Sequence, residues 1–473
     1  MTFQDQFFAG KTTPIAAKPV PKAKLASGAT LPPDTQTAPA VPAYRNRSTL
    51  AYAALLTFSF LYYARPEDFV PGLALIPVAK ISGGLALLGL LLSWGRRRAK
   101  MPIEIKLVLI LFLDMCLTVP FAFWRGGAYQ VIRDDFSKAV ISALLISMIV
   151  SSLSELRKLL WVQASAITIM TMASIIIHPG PGGMRMWGLG GVFSNPNDFA
   201  INIAINFPLC IAFLLAGKGI LKKLIWTGAI LVMVYGVIAT YSRSGFIAMV
   251  ICLLICVWEF GIRGKRPQVL VAAVVMIMLG VGLAFTTPKY ILRLKTLVGG
   301  DITGTGDHGS MDARRDLLME SIHVTMQHPI LGVGPGNFQA YTKSWHVTHN
   351  TYTELSSEAG IPALLLFLTI LMLAFRNTAR LRKTSALKAV PEIALFNSAL
   401  RAGLTAYMVG AAFASTTYSL FPYFMVAYTT ALYRIGSSWE PTDDKPVPQG
   451  SVDSRKREKL YGKQQQGVLA GTR

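Results

Sequence analysis

A short polar stretch, HNTYTELSSEAGIP at residues 349–362, runs directly into the strongly apolar segment ALLLFLTILMLAF. Its first residue, His349, has the side chain best suited to accept a proton near neutral pH, with an ordinary pKa of about 6.5. If the stretch is helical, His349, Tyr352 and Ser356 share one face that leads to Glu358. His349 is therefore either a proton acceptor or a structural histidine, and both interpretations stay open on spacing alone.

Arginines beside apolar segments are the second group of side chains that could do chemistry. Arg243 stands in TYSRSG, Arg185 precedes GLGGVFSNPND, and Arg314 and Arg315 stand in SMDARRDLL. A guanidinium near hydrocarbon is costly unless it has a partner or reaches the membrane surface. Its planar fork also binds phosphate oxygens in pairs. Arg243 is accordingly either a surface-reaching residue or part of an anion site.

The composition indicates which elements must position these groups. The chain has 473 residues, of which 52% are hydrophobic and 15% charged, a balance typical of a multi-pass membrane protein and not of a soluble enzyme. The net charge of +22 is spread over short clusters between apolar runs, which indicates cytoplasmic loops and no nucleic-acid partner. The four cysteines lie in apolar runs without zinc-site spacing, so no metal site is predicted.

Apolar runs of about 20 residues, enough to cross a bilayer, recur along the chain. We predict an all-α polytopic membrane protein with about twelve transmembrane helices, near residues 49–63, 70–94, 104–123, 137–152, 158–177, 199–216, 221–240, 244–261, 268–286, 361–375, 396–417 and 420–434. Short cytoplasmic loops retain Lys and Arg. One alternating set of short connections holds 18 basic residues and the other holds 6, so the first set is predicted to be cytoplasmic.

This orientation places the only long connection, residues 287–360, on the periplasmic side together with His349. Because that side has no ATP, a transfer reaction there needs an already activated substrate. We predict a transmembrane catalytic domain at 48–435 between two disordered cytoplasmic segments, a basic, proline-rich arm at 1–47 and a basic tail at 436–473.

The periplasmic connection contains one predicted helix and one predicted turn. Ser310 is the expected N-cap of an amphipathic helix that ends before Pro329, with apolar residues at helical spacing, namely Met311, Leu318, Ile322 and Met326. Such a helix could lie on the bilayer and present Arg314 or Arg315 to a head group. The GVGPG that follows at 332–336 lacks the pattern of a nucleotide-binding loop, so it predicts a sharp turn.

Four motifs taken together resemble the O-antigen ligase and polymerase superfamily of bacterial envelope enzymes: GLGGVFSNPNDFA, TYSRSGFIAMV, RRDLLMESIHVTMQHPILGVGPGNF and HNTYTELSSEAGIPALLLFL. The resemblance covers roughly residues 184–375. It implies a polytopic inner-membrane enzyme whose large periplasmic loop contains amphipathic helices. It also implies glycan transfer from undecaprenyl pyrophosphate, with inversion at the anomeric carbon and without a metal ion or other cofactor.

By this resemblance, His349 matches the proposed catalytic base, and Arg243 and Arg315 match the arginines near the pyrophosphate. Arg185 is assigned to the substrate from its glycine-rich context. The remaining residues of the predicted substrate-binding set are Arg314, Asn350, Tyr352 and Glu358. The implied partners are the lipid-linked glycan donor, a lipid A core or other glycan acceptor, and membrane lipids. Thr353 stands where ligases of the family commonly have leucine, which leaves the acceptor open.

Other functions fit parts of the same pattern. An O-antigen or exopolysaccharide polymerase and a protein O-oligosaccharyltransferase share the donor and differ in the acceptor. A polysaccharide-lipid transporter would also have many spans, but it would carry ionisable residues at mid-membrane, where the predicted spans contain only Lys80 and Asp114. A non-catalytic scaffold would need no periplasmic arginines and histidine.

The charge bias predicts the outcome of reporter fusions. Alkaline phosphatase fused after His349 should be active, because the long connection is predicted to be periplasmic, while fusions within 376–394 should be inactive. Phosphatase activity in whole cells, normalised to the amount of fusion protein, is the measurement. The opposite pattern would overturn the predicted orientation.

Overall fold

The structure, a computed structural model, describes most of the chain, namely residues 49–68, 70, 72–73, 77–93, 100–177, 185–285, 307–344 and 346–439. All regular elements within these ranges are helical. The predicted arm at 1–47, the predicted tail beyond residue 439 and the part of the long connection before residue 307 lie outside the described residues.

Most of the long helices overlap the predicted apolar segments, although α2 begins at Val78 and not near residue 70. The first eight are α1 (Thr49–Ala64), α2 (Val78–Leu92), α3 (Ile103–Thr118), α4 (Arg125–Val131), α5 (Ser137–Ile149), α6 (Leu153–Ile177), α7 (Pro196–Ala216) and α8 (Ile220–Ala239). The rest are α9 (Arg243–Cys256), α10 (Pro267–Phe285), α11 (Asp307–Gln327), α12 (Phe338–Thr342), α13 (Thr351–Leu381), α14 (Ser385–Ala389), α15 (Pro391–Gly410) and α16 (Leu420–Ser437). A π-helical turn joins α4 to α5, and another, Val257–Ile262, extends α9.

Five helices among the described residues are long and apolar enough to cross a membrane: α6, α7, α8, α9 with its π-helical extension, and α13. Two further apolar helices, α1 and α2, are shorter. The predicted all-α class is confirmed, and these helices support a multi-pass membrane protein. The number of twelve spans and their orientation stay predictions.

The centre of the bundle is α7, which packs against α6, α8, α9 and α15. Buried amide side chains join α6 to α7. Gln163 donates to Asn206 Oδ1 at 2.6 Å, and Asn206 donates to Asn202 Oδ1 at 3.0 Å. Tyr428 of α16 donates its hydroxyl to Gln163. Because an unpaired amide is costly in an apolar interior, this chain of bonds restricts how the helices can slide against one another.

A buried carboxylate joins α9, α13 and α15 at the end away from Arg243. Glu259 lies in the π-helical extension of α9 and accepts from Arg382, the residue that follows α13. Its other oxygen, Oε1, lies 3.4 Å from Nε of Arg401 on α15. Since Arg243 begins α9 and His349 lies just before α13, this ion cluster connects the helices of both residues at a second point.

A break in α13 receives the glycine-rich loop that follows α11. Gly360 has φ 88° and ψ 171°, a conformation that only glycine adopts readily. Next to the break, the N–H of Gly334 donates to the Glu358 carbonyl at 2.8 Å, and the N–H of Ile361 donates to the Pro329 carbonyl at 2.8 Å. A Cβ atom on Gly360 would overlap the carbonyl oxygen of Ile330. The loop and the helix therefore pair backbone to backbone.

The glycines of GVGPG make this pairing possible. Gly332, Gly334 and Gly336 have φ values of 64°, 104° and 70°, which side chains disfavour. The predicted sharp turn is confirmed. Two backbone N–H groups at the end of the turn donate to one side chain. The Glu358 carboxylate accepts from the N–H of Gly336 at 2.7 Å and from that of Phe338 at 3.1 Å.

Helix α11 differs from its prediction in its start and in its buried face. It begins at Asp307, so Ser310 lies inside the helix and is not its N-cap. The side that packs on α13 includes Thr325, whose hydroxyl lies 2.8 Å from that of Ser356. Two residues of the predicted apolar face, Ile322 and Met326, are 44% and 71% exposed. The buried side of α11 is instead formed by Leu317 and Val324, which are 7% and 2% exposed, together with Thr325.

The break at Gly360 predicts a large cost for a single methyl group. Gly360→Ala should destabilise the protein by roughly 3 kcal/mol, because the alanine would be strained and would displace the paired loop. The matched control is Gly228→Ala in α8, where a Cβ would meet nothing within 4 Å and helix propensity favours alanine by about 1 kcal/mol. Thermal unfolding in detergent compares the two. Equal melting temperatures would contradict the pairing.

Candidate active site

A cavity of about 270 Å³ lies where four parts of the chain meet: the start of α9, one face of α11, the segment before α13 and the connection after α15. It is lined by Arg243, Ser244, Ile247, Arg314, Arg315, Leu318, Thr348, His349, Asn350, Ala412 and Phe413. Five of the predicted site residues line the same cavity: Arg243, Arg314, Arg315, His349 and Asn350.

The backbone at His349 is in the left-handed region, with φ 53°, which is uncommon for a residue with a side chain. Its N–H donates to the Ser415 hydroxyl at 3.1 Å. The next residue, Asn350, is the N-cap of α13, and its side chain accepts from the N–H groups of Tyr352 and Thr353. His349 therefore precedes the helix. The prediction from spacing that it shares a helical face with Tyr352 is wrong.

The connection after α15 holds this segment from the other side. Helix α15 ends at Gly410, so the predicted span at 396–417 is too long at its C-terminal end. Thr351 donates its hydroxyl to the Ala414 carbonyl at 2.6 Å and accepts from the N–H of Thr416 at 3.1 Å. The run of hydroxyl residues in ASTTYS, which sequence reasoning passed over, was the available signal for this turn.

Arg243 is placed by a sharp corner between α8 and α9. Ser242 caps α9, and its hydroxyl donates to Asn197 Oδ1 at 2.8 Å. Arg185 donates to the same oxygen at 2.6 Å and to the Thr240 carbonyl at 3.0 Å. Arg185 does not line the cavity. Its contacts brace the corner from which Arg243 extends.

Two other predicted site residues also lie outside the cavity. Tyr352 donates its hydroxyl to the Met408 carbonyl at 2.7 Å, which fastens α13 to α15. Glu358 is buried, and its carboxylate holds the glycine-rich loop and accepts from Tyr418 at 2.6 Å. Both residues support the site through neighbouring elements and do not face the cavity.

Positive charge dominates the cavity. Arg243 and Arg314 are partly buried and Arg315 is exposed, and no carboxylate is among the lining residues. Asp198, in the first turn of α7, interacts electrostatically with Arg314. It is a further candidate residue of the site that sequence reasoning missed. Three guanidinium groups around one small space favour a multiply charged anion, because each can donate two parallel bonds to its oxygens.

The imidazole of His349 is neutral at neutral pH. Burial is the largest of the causes that together lower its pKa from the ordinary 6.5 to about 4, followed by the charge of Arg314 and the nearby His346. A neutral ring has a free nitrogen lone pair and can accept a proton. The cavity thus combines an anion-binding wall with a proton acceptor.

Comparison with known protein families follows the same residues. Residues 228–368 match the family model for O-antigen ligase. The predicted resemblance to that superfamily is thereby confirmed. This O-antigen ligase segment contains Arg243, Arg314, Arg315 and His349, whereas Arg185 and the connection after α15 lie outside it. No curated protein matches the chain.

The electrostatics of the O-antigen ligase segment predict an unusual titration. The His349 imidazole should titrate near pH 4 in the substrate-free protein, and Arg314→Ala should raise that pKa part of the way towards 6.5, since burial remains. Arg314→Lys keeps the charge and serves as the control. NMR of labelled histidine, assigned with His349→Gln, measures the midpoint. A midpoint near 6.5 in the parent protein would contradict this environment.

Proposed function

We propose that the protein is an O-antigen ligase-type glycosyltransferase of the bacterial inner membrane. It transfers a glycan from undecaprenyl pyrophosphate to a hydroxyl of the lipid A core at the periplasmic face, without a metal ion. The observation that carries this proposal is the shared cavity of Arg243, Arg314, Arg315 and His349, all four within the O-antigen ligase segment.

The arginines suit the donor. Pyrophosphate leaves with negative charge, and fixed guanidinium groups stabilise that charge as it develops. The cavity also has an apolar side formed by Ile247, Leu318 and Phe413, which suits the first isoprenoid units of the lipid carrier. Because the site lies at the ends of the apolar helices α9 and α13, the rest of the carrier can stay in the membrane.

His349 suits the acceptor. In the proposed step, the acceptor hydroxyl oxygen forms a bond to the anomeric carbon while the bond from that carbon to the pyrophosphate oxygen breaks. The hydroxyl proton passes to the neutral imidazole, and the lipid pyrophosphate leaves with the electron pair. An imidazole whose pKa is about 4 is a weak base. The phosphates of a bound donor offset the charge of Arg314 and so raise the basicity of the His349 imidazole.

The acceptor is tested by product analysis. Purified protein with the lipid-linked glycan should form a glycosylated product when lipid A core is added. Two parallel reactions contain either a second lipid-linked glycan or a protein rich in exposed Ser and Thr hydroxyls. A lengthened lipid-linked chain as the sole product would assign the protein as a polymerase, and a glycosylated protein would assign it as a protein O-oligosaccharyltransferase.

Substitutions of His349 and Arg243 should impair different steps, transfer in one case and donor binding in the other. His349→Ala should abolish transfer but leave donor binding largely intact, because a neutral imidazole contributes little to holding pyrophosphate. Arg243→Ala should weaken donor binding by about 2 kcal/mol, or roughly thirtyfold, since it removes a charge-assisted pair. Arg243→Lys should restore only part of this loss. Binding of undecaprenyl pyrophosphate to the solubilised variants is the measurement.

Matched controls come from exposed residues away from the cavity. His323→Ala and Arg125→Ala remove the same side chains from exposed positions that do not line it, so both should keep transfer and donor binding. Transfer by His349→Ala at the parent rate, or parent-like donor affinity in Arg243→Ala, would contradict the roles proposed for these residues.

A further inference from the structure

A second cavity, of about 510 Å³, lies between α7, α8, α10 and the C-terminal end of α9. Val257 lines it, while Arg243 at the start of α9 lines the first cavity. At a rise of about 1.5 Å per residue, these two positions are roughly 20 Å apart along the helix. No residue lines both cavities. The second cavity is therefore a separate site at the other end of the helix bundle.

Most of this cavity is apolar. Helices α7, α8 and α9 contribute Phe207, Leu214, Ile230 and Leu253, and α10 contributes Val269 and Ala273. Its volume is in the range of roughly 300–1,000 Å³ that is usual for sites of small organic ligands. A cavity of this size with an apolar lining can hold part of a hydrocarbon chain.

Three cations line the same cavity. Lys223 lies in the first turn of α8, and Lys265 and Arg266 lie in the turn before α10. Within the described ranges, no carboxylate forms an ion pair with any of the three. No Asp or Glu is among the lining residues, and Gln268 is the one other polar residue there. The cavity thus combines an apolar space with uncompensated positive charge.

The turn that carries two of these cations is itself unusual. Lys265 has φ 52°, a left-handed conformation that is uncommon for a residue with a side chain. The turn is closed by two backbone bonds, from the N–H of Lys265 to the Ile262 carbonyl at 3.2 Å and from the N–H of Arg266 to the Gly261 carbonyl at 2.9 Å. A glycine would relieve the strain but would remove a cation from the cavity.

We propose that this cavity binds an anionic phospholipid, with its phosphate against Lys223, Lys265 and Arg266 and one acyl chain between α7, α9 and α10. A clustered set of cations beside membrane helices favours anionic head groups by about 1 kcal/mol for each charge. A zwitterionic lipid would bring an ammonium group towards the same cations. The lining contains no carboxylate or histidine that could act on the phosphate, so the lipid is held and not converted.

The bound lipid has a structural consequence for α10. Several side chains of this helix are exposed, including Val271 at 65% and Val274 at 56%. The helix packs mainly on α8 and on the extension of α9. An acyl chain in the cavity fills the space between α10 and the rest of the bundle, and a ligand that binds only the folded protein stabilises it in proportion to its occupancy.

The test uses the full-length protein in detergent, with phosphatidylglycerol and phosphatidylcholine of identical acyl chains as probes. Native mass spectrometry measures the affinity for each lipid, and thermal unfolding measures the stabilisation. The variant Lys265→Ala/Arg266→Ala removes two cations of the cavity. The control Lys218→Ala/Lys222→Ala removes two exposed cations, one in the loop before α8 and one in its first turn. Neither of them lines the cavity. Ala273→Phe fills the apolar space without changing the charge.

Phosphatidylglycerol should bind more tightly than phosphatidylcholine and raise the melting temperature. The affinity for it should fall by about fivefold per cation in the cavity variant, fall also in Ala273→Phe, and remain unchanged in the control. Equal binding of the two lipids would overturn the proposal, as would equal losses in the two charge variants. Displacement of phosphatidylglycerol by equimolar undecaprenyl phosphate would also overturn it, because the site would then belong to the lipid carrier.

Discussion

The backbone pairing between the glycine-rich loop and the break in α13 is the interaction on which the arrangement of the site depends. The loop directly follows α11, which carries Arg314 and Arg315, and α13 directly follows His349. Bonds at Gly334 and Ile361, together with the Glu358 carboxylate, set how these two helices lie against each other. The placement of Arg314 and Arg315 relative to His349 is therefore decided outside the cavity, by atoms that do not line it.

Charge is separated in a consistent way across the described part of the protein. Two buried carboxylates have structural partners: Glu259 joins three helices, and Glu358 accepts from the amides of a tight loop. The two cavities, in contrast, are lined by cations without carboxylates among their lining residues. The carboxylates of Glu259 and Glu358 hold elements of the protein together, whereas the cations that line the two cavities face space that an anionic ligand can enter.

Much of the fold and several residues of the candidate site could be predicted from local sequence patterns. Apolar runs of helical length appear as helices at the expected places, and GVGPG forms a tight turn because only glycine tolerates its backbone angles. Arg243, Arg314, Arg315 and His349 could be chosen because guanidinium and imidazole groups suit anion binding and proton transfer, and because their motifs resemble those of one enzyme superfamily. The errors occur where a neighbour in space changes a local preference. The face of α11 is one case. Its buried side includes Leu317, Val324 and Thr325, while Ile322 and Met326 of the predicted apolar face are exposed.

The sequence by itself determined the helical class, the turns and the chemical types gathered at the ends of the apolar segments, because periodicity, glycine and charge act over a few residues. Only the tertiary structure decided which of those groups share a cavity. Arg185, Tyr352 and Glu358 are the same residue types as ligand-binding groups, yet each bonds to backbone or side-chain atoms of distant segments, at Thr240, Met408 and Gly336. Such bonds join residues far apart in the chain, and no local pattern specifies them.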